Sequence, residues 1–162
     1  MDTANDGLRY RAALGRFPTG VAFVATQAAD GSDVGILINS FTSVSLDPRL
    51  VLWSLDKRSS LHAMFVQAQS FAISILTGAQ RQLLAELSRP RDVRFHGVAI
   101  RRGLGGSPLL LDAAAGFECT RERVVPAGDH DLIMGRVEHF EVCELPPLAF
   151  LAGQYGHVEI AA

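Results

Sequence analysis

Apolar residues recur at i, i+3, i+4 and i+7 over Tyr10, Ala13, Leu14 and Phe17, a spacing that predicts an amphipathic helix over residues 7–16 with Asp6 at its cap. Pro18 and Gly20 close it. Apolar runs over 21–28 and 34–38 flank Ala-Asp-Gly-Ser-Asp, a turn composition that predicts a β-hairpin. A third run over 50–55 predicts a buried strand, and Leu61, Met64 and Phe65 then share one face of a short helix over 60–67. Residues 70–76 alternate Phe71, Ile73 and Ile75 with Ser70, Ala72 and Ser74, the pattern of a strand with one buried face. Thr77 and Gln80 have the spacing of a capping box ahead of a helix bearing Leu83, Leu84 and Leu87, which Pro90 ends. Residues 91–108 predict an irregular connection with a brief strand at 98–100. Two long strands follow, over 109–125 and 131–144. In the second, Ile133, Gly135 and Val137 keep one phase while Phe140 and Val142 take the other, which predicts a β-bulge near Glu138 and His139. Many strands, few helices and hairpin connections favour a mainly β chain: a closed antiparallel barrel with peripheral helices.

One stretch breaks the apolar pattern in an informative way. Between the second and third strands lie Asn39, Ser40, Thr42, Ser43 and Ser45, with Phe41 and Val44 interleaved. So many short polar side chains are costly to bury unpaired, so they either bond local backbone at a turn or face a polar ligand. After the third strand come Asp56, Lys57, Arg58, Ser59 and Ser60. Ser59 or Ser60 can cap the short helix that follows, placing its free amide groups beside two cations, as a phosphate site requires; the alternative is an exposed, charged strand-to-helix turn.

The segments NSFTSVSLDP (39–48), VLWSLDKRSS (51–60) and Gly128-Asp129-His130, in that order, resemble the short-chain flavin reductases, the small partner components of two-component flavin-dependent monooxygenases. The resemblance runs from the LRYRAALGRFPTGVAFVAT opening at Leu8 to Tyr155. It implies an FMN-binding split β-barrel, a homodimer with flavin at the subunit interface, NADH or NADPH as hydride donor, FMN or FAD as acceptor, and a monooxygenase that receives the reduced flavin.

It also implies roles for residues. Asn39, Ser40, Thr42 and Ser43 match the segment that lines the flavin ring and ribityl chain. Lys57, Ser59 and Ser60 match its phosphate site, which Ser54 and Asp56 complete through their backbone groups. His130 matches a histidine facing the nicotinamide. Hydride transfer demands closeness and stacking, so it is cast as an orienter rather than a general base. Phe95, in Arg94-Phe95-His96-Gly97, matches an aromatic element that can cover the flavin, and Tyr155 can approach from the C-terminal tail. Each has a structural alternative: Phe95 as a plug under the irregular segment, Tyr155 as an edge aromatic, Gly128 and Asp129 as a plain hairpin turn. Trp53 is assigned to the core.

Composition sets the outer bounds. At 162 residues the chain is expected to form one domain over 1–162, and 48% hydrophobic with 20% charged residues is the balance of an ordinary globule. A formal net charge of -2 argues against a nucleic-acid surface. No apolar run suits a bilayer span, and the N-terminus lacks the pattern of a secretory signal, so the cytoplasm is the expected compartment. Cys119 and Cys143 are expected to be reduced core thiols, and the scattered histidines indicate no metal.

The chain departs from the family pattern in two places. Leu37-Ile38 stands where Thr-Ala is usual before the Asn-Ser pair, and Gln154 stands where an arginine often precedes the tyrosine. Two further functions therefore stay open beside the reductase: a split-barrel flavoprotein that turns over a small molecule with its own flavin, and a non-catalytic flavin carrier. No GxGxxG fingerprint is present, so nicotinamide would bind without a Rossmann domain.

Overall fold

The structure, a computed structural model, describes residues 3–89, 95 and 97–159. Helix α1 (Thr3–Leu14) is followed by strands β1 (Thr19–Gly20), β2 (Ala22–Gln27), β3 (Asp33–Ile38), β4 (Thr42–Leu46) and β5 (Arg49–Asp56). Then come α2 (His62–Gln67), β6 (Ser70–Ile75), a 3-10 turn (Gly78–Leu83) that runs into α3 (Leu84–Leu87), β7 (Ile100–Arg102) and β8 (Pro108–Leu110). Strands β9 (Ala115–Ala127), β10 (His130–Val142), β11 (Leu148–Leu151) and β12 (Gln154–His157) complete the chain.

Seven strands form one antiparallel sheet in the order β3-β2-β6-β9-β10-β5-β4. Its two edges, β3 and β4, are consecutive in sequence and joined only by Asn39, Ser40 and Phe41. Such a link spans at most about 14 Å, whereas a flat sheet of this many strands would be about 29 Å wide. The sheet must therefore roll until its edges approach. No ladder joins β3 to β4, so the barrel is split rather than closed, correcting the pattern-based expectation and agreeing with the one drawn from resemblance.

Inside the roll, Trp53 packs edge-on against Phe65 and Phe71, with ring centroids 5.1 and 6.0 Å apart. Ile73, Cys119 and Ile133 close around them. A second cluster, with Phe23, Leu76, Leu87, Leu110 and Leu148, joins β2 to α3, β8 and β11. Gly35 is forced by that packing, since a Cβ there would stand 2.1 Å from Phe23 Cζ.

Several local expectations hold. The 22–38 hairpin, the Thr77–Gln80 capping box, the buried Trp53 and the register shift between Val137 and His139 are all present. Others change. The first helix begins at Thr3, so Asp6 lies in its first turn rather than at its cap, and Leu8, Tyr10, Leu14 and the following Phe17 are exposed. Strand β6 is buried on both faces, because Ala72 and Ser74 turn toward the second cluster's side of the sheet. The strand expected at 98–100 falls at Ile100–Arg102, and the first long strand starts at Ala115 because Pro108–Leu110 pairs with β7 instead. Cys119 is buried, but Cys143 lies past the end of β10 and is exposed. Among the described residues no helix is long and apolar enough to cross a membrane, and no cluster could hold a metal ion.

Candidate functional site

The site grows from the seam of the barrel. The β4–β5 ladder ends at Thr42 opposite Leu52, and two residues further on the same register would set Ser40 opposite Ser54. There a side chain continues the ladder: Ser54 N–H donates to Ser40 Oγ at 3.0 Å. The seam is thus fixed to β5 through Ser40, while the neighbouring Asn39 is exposed and its amide makes no hydrogen bond among the described residues. Thr42 and Ser43 lie on the exposed edge strand, with only a long 3.4 Å contact from Thr42 Oγ1 to Ser43 O.

Alternation sorts the rest. Along β5, Val51, Trp53 and Leu55 turn inward, so Leu52, Ser54 and Asp56 turn outward. Along β10, Asp131, Ile133, Gly135 and Val137 turn inward and His130 outward. The register pairs Asp56 with His130 and Ser54 with Leu132, so the outward residues of both strands share one face. Three segments distant in the chain, the 39–43 strip through Ser40, the 54–60 strand end and the Gly128–His130 turn, meet there.

Each member is locally held. Gly128 has φ +62° and opens a two-residue turn between Ala127 and His130, the place glycine takes in tight hairpins. His130 Nδ1 lies 2.8 Å from Asp129 Oδ1, and this contact holds the Asp129 carboxyl below the usual carboxylate range. Arg58 is committed to Asp56: its backbone N–H donates to Oδ1 at 2.8 Å, Nε to Oδ1 at 3.2 Å and Nη2 to Oδ2 at 2.9 Å. These bonds, the side-chain ones first, draw the Asp56 carboxyl down to about 2. Lys57 Nζ donates to Gly128 O at 2.6 Å and lies 3.7 Å from Asp131. Both cations are thus paired with carboxylates, Lys57 with Asp131 and Arg58 with Asp56.

Ser59 caps in a limited sense. Its Oγ accepts from Leu61 N–H at 3.2 Å, but α2 starts at His62 and has only six residues. The Ser59 hydroxyl proton stays available to an acceptor, and Ser60 is exposed with no partner among the described residues.

Asn39 also borders two adjoining cavities that share Phe150. The smaller, about 180 Å³, is lined by Val21, Leu37, Ile38, Asn39, Phe150 and Tyr155. The larger, about 650 Å³, runs under α1 past Arg11, Arg16, Phe17 and Thr19. Tyr155 leans on Phe150 with ring centroids 5.3 Å apart, so it is at once an edge aromatic and a wall of the smaller cavity. Leu37 and Ile38, which depart from the family pattern, line that same space. Phe95 packs edge-on against Phe23 at 5.7 Å in the second cluster, and the structure does not bring it to Asn39 or His130 by any contact. Arg94 and His96 lie outside the described residues.

Sequence reasoning missed Asp131 and His62. Asp131 is 7% exposed, and His62 Nε2 lies 2.7 Å from its Oδ2. The signal was present for Asp131, which stands in the inward phase of Ile133, Gly135 and Val137; nothing local marked His62.

The rolled, unclosed sheet, with Ser54, Asp56 and His130 on one outer face, makes the chain a split-barrel domain. The pattern of the flavin reductase like domain matches residues 14–159, and the chain belongs to that family. Among its relatives is the reductase component of the flavin-dependent trigonelline monooxygenase of Acinetobacter baylyi (strain ATCC 33305 / BD413 / ADP1), 40% identical over 155 residues, which are 96% of this chain and 50% of that protein. The chain thus spans about half the length of the first relatives it matches. A shorter relative, the FMN reductase (NADH) SmoA of Agrobacterium fabrum (strain C58 / ATCC 33970), is 40% identical over 147 residues, covering 91% of this chain and 83% of that one. The solved structure of the Streptomyces globisporus C-1027 NADH:FAD oxidoreductase SgcE6, in complex with NAD and FAD fragments, superimposes with a TM-score of 0.89 at 30% identity, covering 96% of this chain and 94% of that one.

Proposed function

We propose that this chain is a flavin reductase that uses NADH or NADPH to reduce FMN or FAD and passes the reduced flavin to a partner monooxygenase. The observation that carries the reading is the register that sets Asp56 opposite His130 on the face to which Ser40 and Ser54 also belong. Names of relatives support it, since they include a reductase component of a monooxygenase and an NADH-dependent FMN reductase.

The residues on that face suit a flavin. Asn39 and Ser60 offer donors with no internal partner among the described residues, and Ser59 can donate while accepting from Leu61. Because Lys57 is paired with Asp131 and Arg58 with Asp56, and the backbone N–H groups of Lys57, Arg58, Ser59, Leu61 and His62 are bonded within the chain, a phosphate here would be held chiefly by hydroxyl donors rather than by net charge. Asn39, Thr42 and Ser43 then serve the ring and ribityl chain, Ser40 and Ser54 hold that strip in place through their mutual hydrogen bonds, Asp56 ties down the turn that carries Ser59 and Ser60, and Tyr155 closes the smaller cavity from the tail. Phe95 serves by supporting the second cluster. When bound, flavin supplies the ring that accepts hydride, and His130 orients the nicotinamide toward it.

The functional unit is a homodimer. In the single chain, β4 leaves one edge unpaired beside exposed apolar residues, and a second copy would cover them.

The test is to mix purified protein with NADH or NADPH and free FMN or FAD and follow the loss of nicotinamide absorbance. Turnover on free flavin is expected. A yellow protein that reduces only its own flavin points to the small-molecule flavoprotein, and no turnover with any combination points to a carrier.

A further inference from the structure

Asp131 follows His130 in β10 and so points the opposite way, into the barrel. Its carboxylate is 10% exposed, Oδ2 lies 2.7 Å from His62 Nε2, and Oδ1 lies 3.7 Å from Lys57 Nζ while accepting no hydrogen bond. A carboxylate buried this far is costly unless opposite charge or donors compensate it. Both compensating groups come from the segment that leaves β5.

Lys57 is also the clamp on the hairpin. Its backbone N–H donates to Asp129 O at 3.0 Å and its Nζ to Gly128 O at 2.6 Å, so one residue holds both carbonyls of the turn. The next residue is His130, whose Nδ1 meets the Asp129 side chain of that same turn. The chain of contact is therefore short: a buried carboxylate beside an ammonium, the ammonium on the turn, the turn under the imidazole. Lys57 side-chain exposure of 39% leaves the ammonium free to swing into water if nothing holds it.

We propose that Asp131 is a positioning residue of the reductase reaction: it holds the Lys57 ammonium on the Gly128–Asp129 turn and so fixes His130 on the outer face. This rests on the proposed role of His130 in orienting the nicotinamide. It also assigns the Lys57 ammonium to the hairpin first, ahead of any flavin phosphate. His62 serves as the second anchor, giving Asp131 a donor from α2.

Two readouts test this. The first is a double-mutant cycle in NADH-dependent flavin reduction. Asp131→Asn keeps the shape and the contact to His62 but removes the charge beside Lys57, and it should lower turnover about 10-fold with flavin affinity little changed. In a His130→Ala background the same change should matter by less than about 2-fold, because the group it positions is gone. Independent, multiplicative losses would show that Asp131 merely stabilises the barrel, and would overturn the proposal.

The second readout needs no turnover. Native-state amide hydrogen exchange in Asp131→Asn and in Lys57→Met should rise about 10-fold at the amide of residue 57, which donates to Asp129 O, and at the His130 amide, while the β6 amides of Phe71 to Ile73 keep their protection. Lys57→Met retains the aliphatic stem at a partly exposed position, so it answers the question even if Asp131→Asn does not fold. Unchanged exchange at the hairpin in Lys57→Met, or an equal rise everywhere, overturns the clamp. If the unaltered protein does not reduce flavin, the functional reading fails, and the exchange measurement still judges the clamp by itself.

Discussion

Ser40 and Ser54 are joined beside the seam of the barrel, the Ser54 amide donating to the Ser40 hydroxyl at 3.0 Å where the β4–β5 ladder has run out. Ser40→Ala leaves that half-buried amide unpaired, and we expect a loss of about 1 to 2 kcal/mol in stability. Ser40→Thr keeps an oxygen and should recover most of it. Urea unfolding of the three proteins checks this; an unchanged midpoint in Ser40→Ala would mean that water replaces the hydroxyl and that the seam does not depend on it.

Ser60 is the cleanest probe of the phosphate site, because it is exposed and makes no bond among the described residues, so its removal should leave the fold intact. Ser60→Ala should weaken FMN and FAD binding by about 10-fold, the size of one hydrogen bond to a charged group. Riboflavin, which has no phosphate, should bind as before. Equal losses for all three flavins would move the phosphate elsewhere.

What the sequence reveals here depends on how far apart the partners lie. The capping box joins Thr77 and Gln80 and the bulge at Val137–His139 shows as a phase slip in one strand, so both are legible locally. The pairing of Lys57 and His62 with Asp131 crosses some seventy residues and depends on the β5–β10 register, which no local pattern encodes. The 39–45 strip shows its chemistry plainly, yet that Ser40 is spent on Ser54 while Asn39 is left open follows only from where the ladder stops. Tyr10 and Leu14 mislead in the other direction. Their helical spacing marks an apolar stripe, but on the single chain they are 67% and 57% exposed, so the spacing identifies a surface to be covered and not what covers it.

The two thiols should separate by reactivity. Cys143 is exposed, whereas burial pushes the Cys119 thiol up to about 12. A disulfide reagent should therefore titrate one thiol in the native protein and both after unfolding. Since the Cys119 folded value is raised, its contribution to stability is whole below the ordinary thiol value of 9.0 and is lost as pH rises from there toward about 12. Cys119→Ala should flatten that part of the stability profile, and a native protein with two reactive thiols would contradict the packing.

The dimer has a surface to test. Leu46 is 90% exposed and pairs with Arg49, whose guanidinium lies 5.5 Å from the centre of the Phe140 ring; Phe140 is itself 58% exposed. Leu46→Glu places a charge in this patch without touching the core. Light scattering should give a dimer for the unaltered protein and the monomer mass for the variant, with far-UV circular dichroism unchanged. A monomer for the unaltered protein with full activity would sink the idea.

The last expectation concerns His130, which is partly exposed beside Asp56 and is held through Nδ1 by Asp129. With Nδ1 occupied, Nε2 is the ring nitrogen left for a substrate. If the imidazole orients the nicotinamide, His130→Ala should lower turnover by about 10- to 100-fold, equivalent to about 1.4 to 2.7 kcal/mol of lost transition-state positioning, with flavin affinity nearly constant. His130→Asn should recover part of the loss, because an amide can still donate a hydrogen bond from a similar place. Asp129→Asn should fall between them, since it weakens the hold on Nδ1 but leaves the ring. Steady-state rates at saturating flavin, set beside flavin dissociation constants from fluorescence quenching, separate the outcomes: collapsed flavin affinity with normal turnover would make His130 a flavin ligand and place the nicotinamide on another wall.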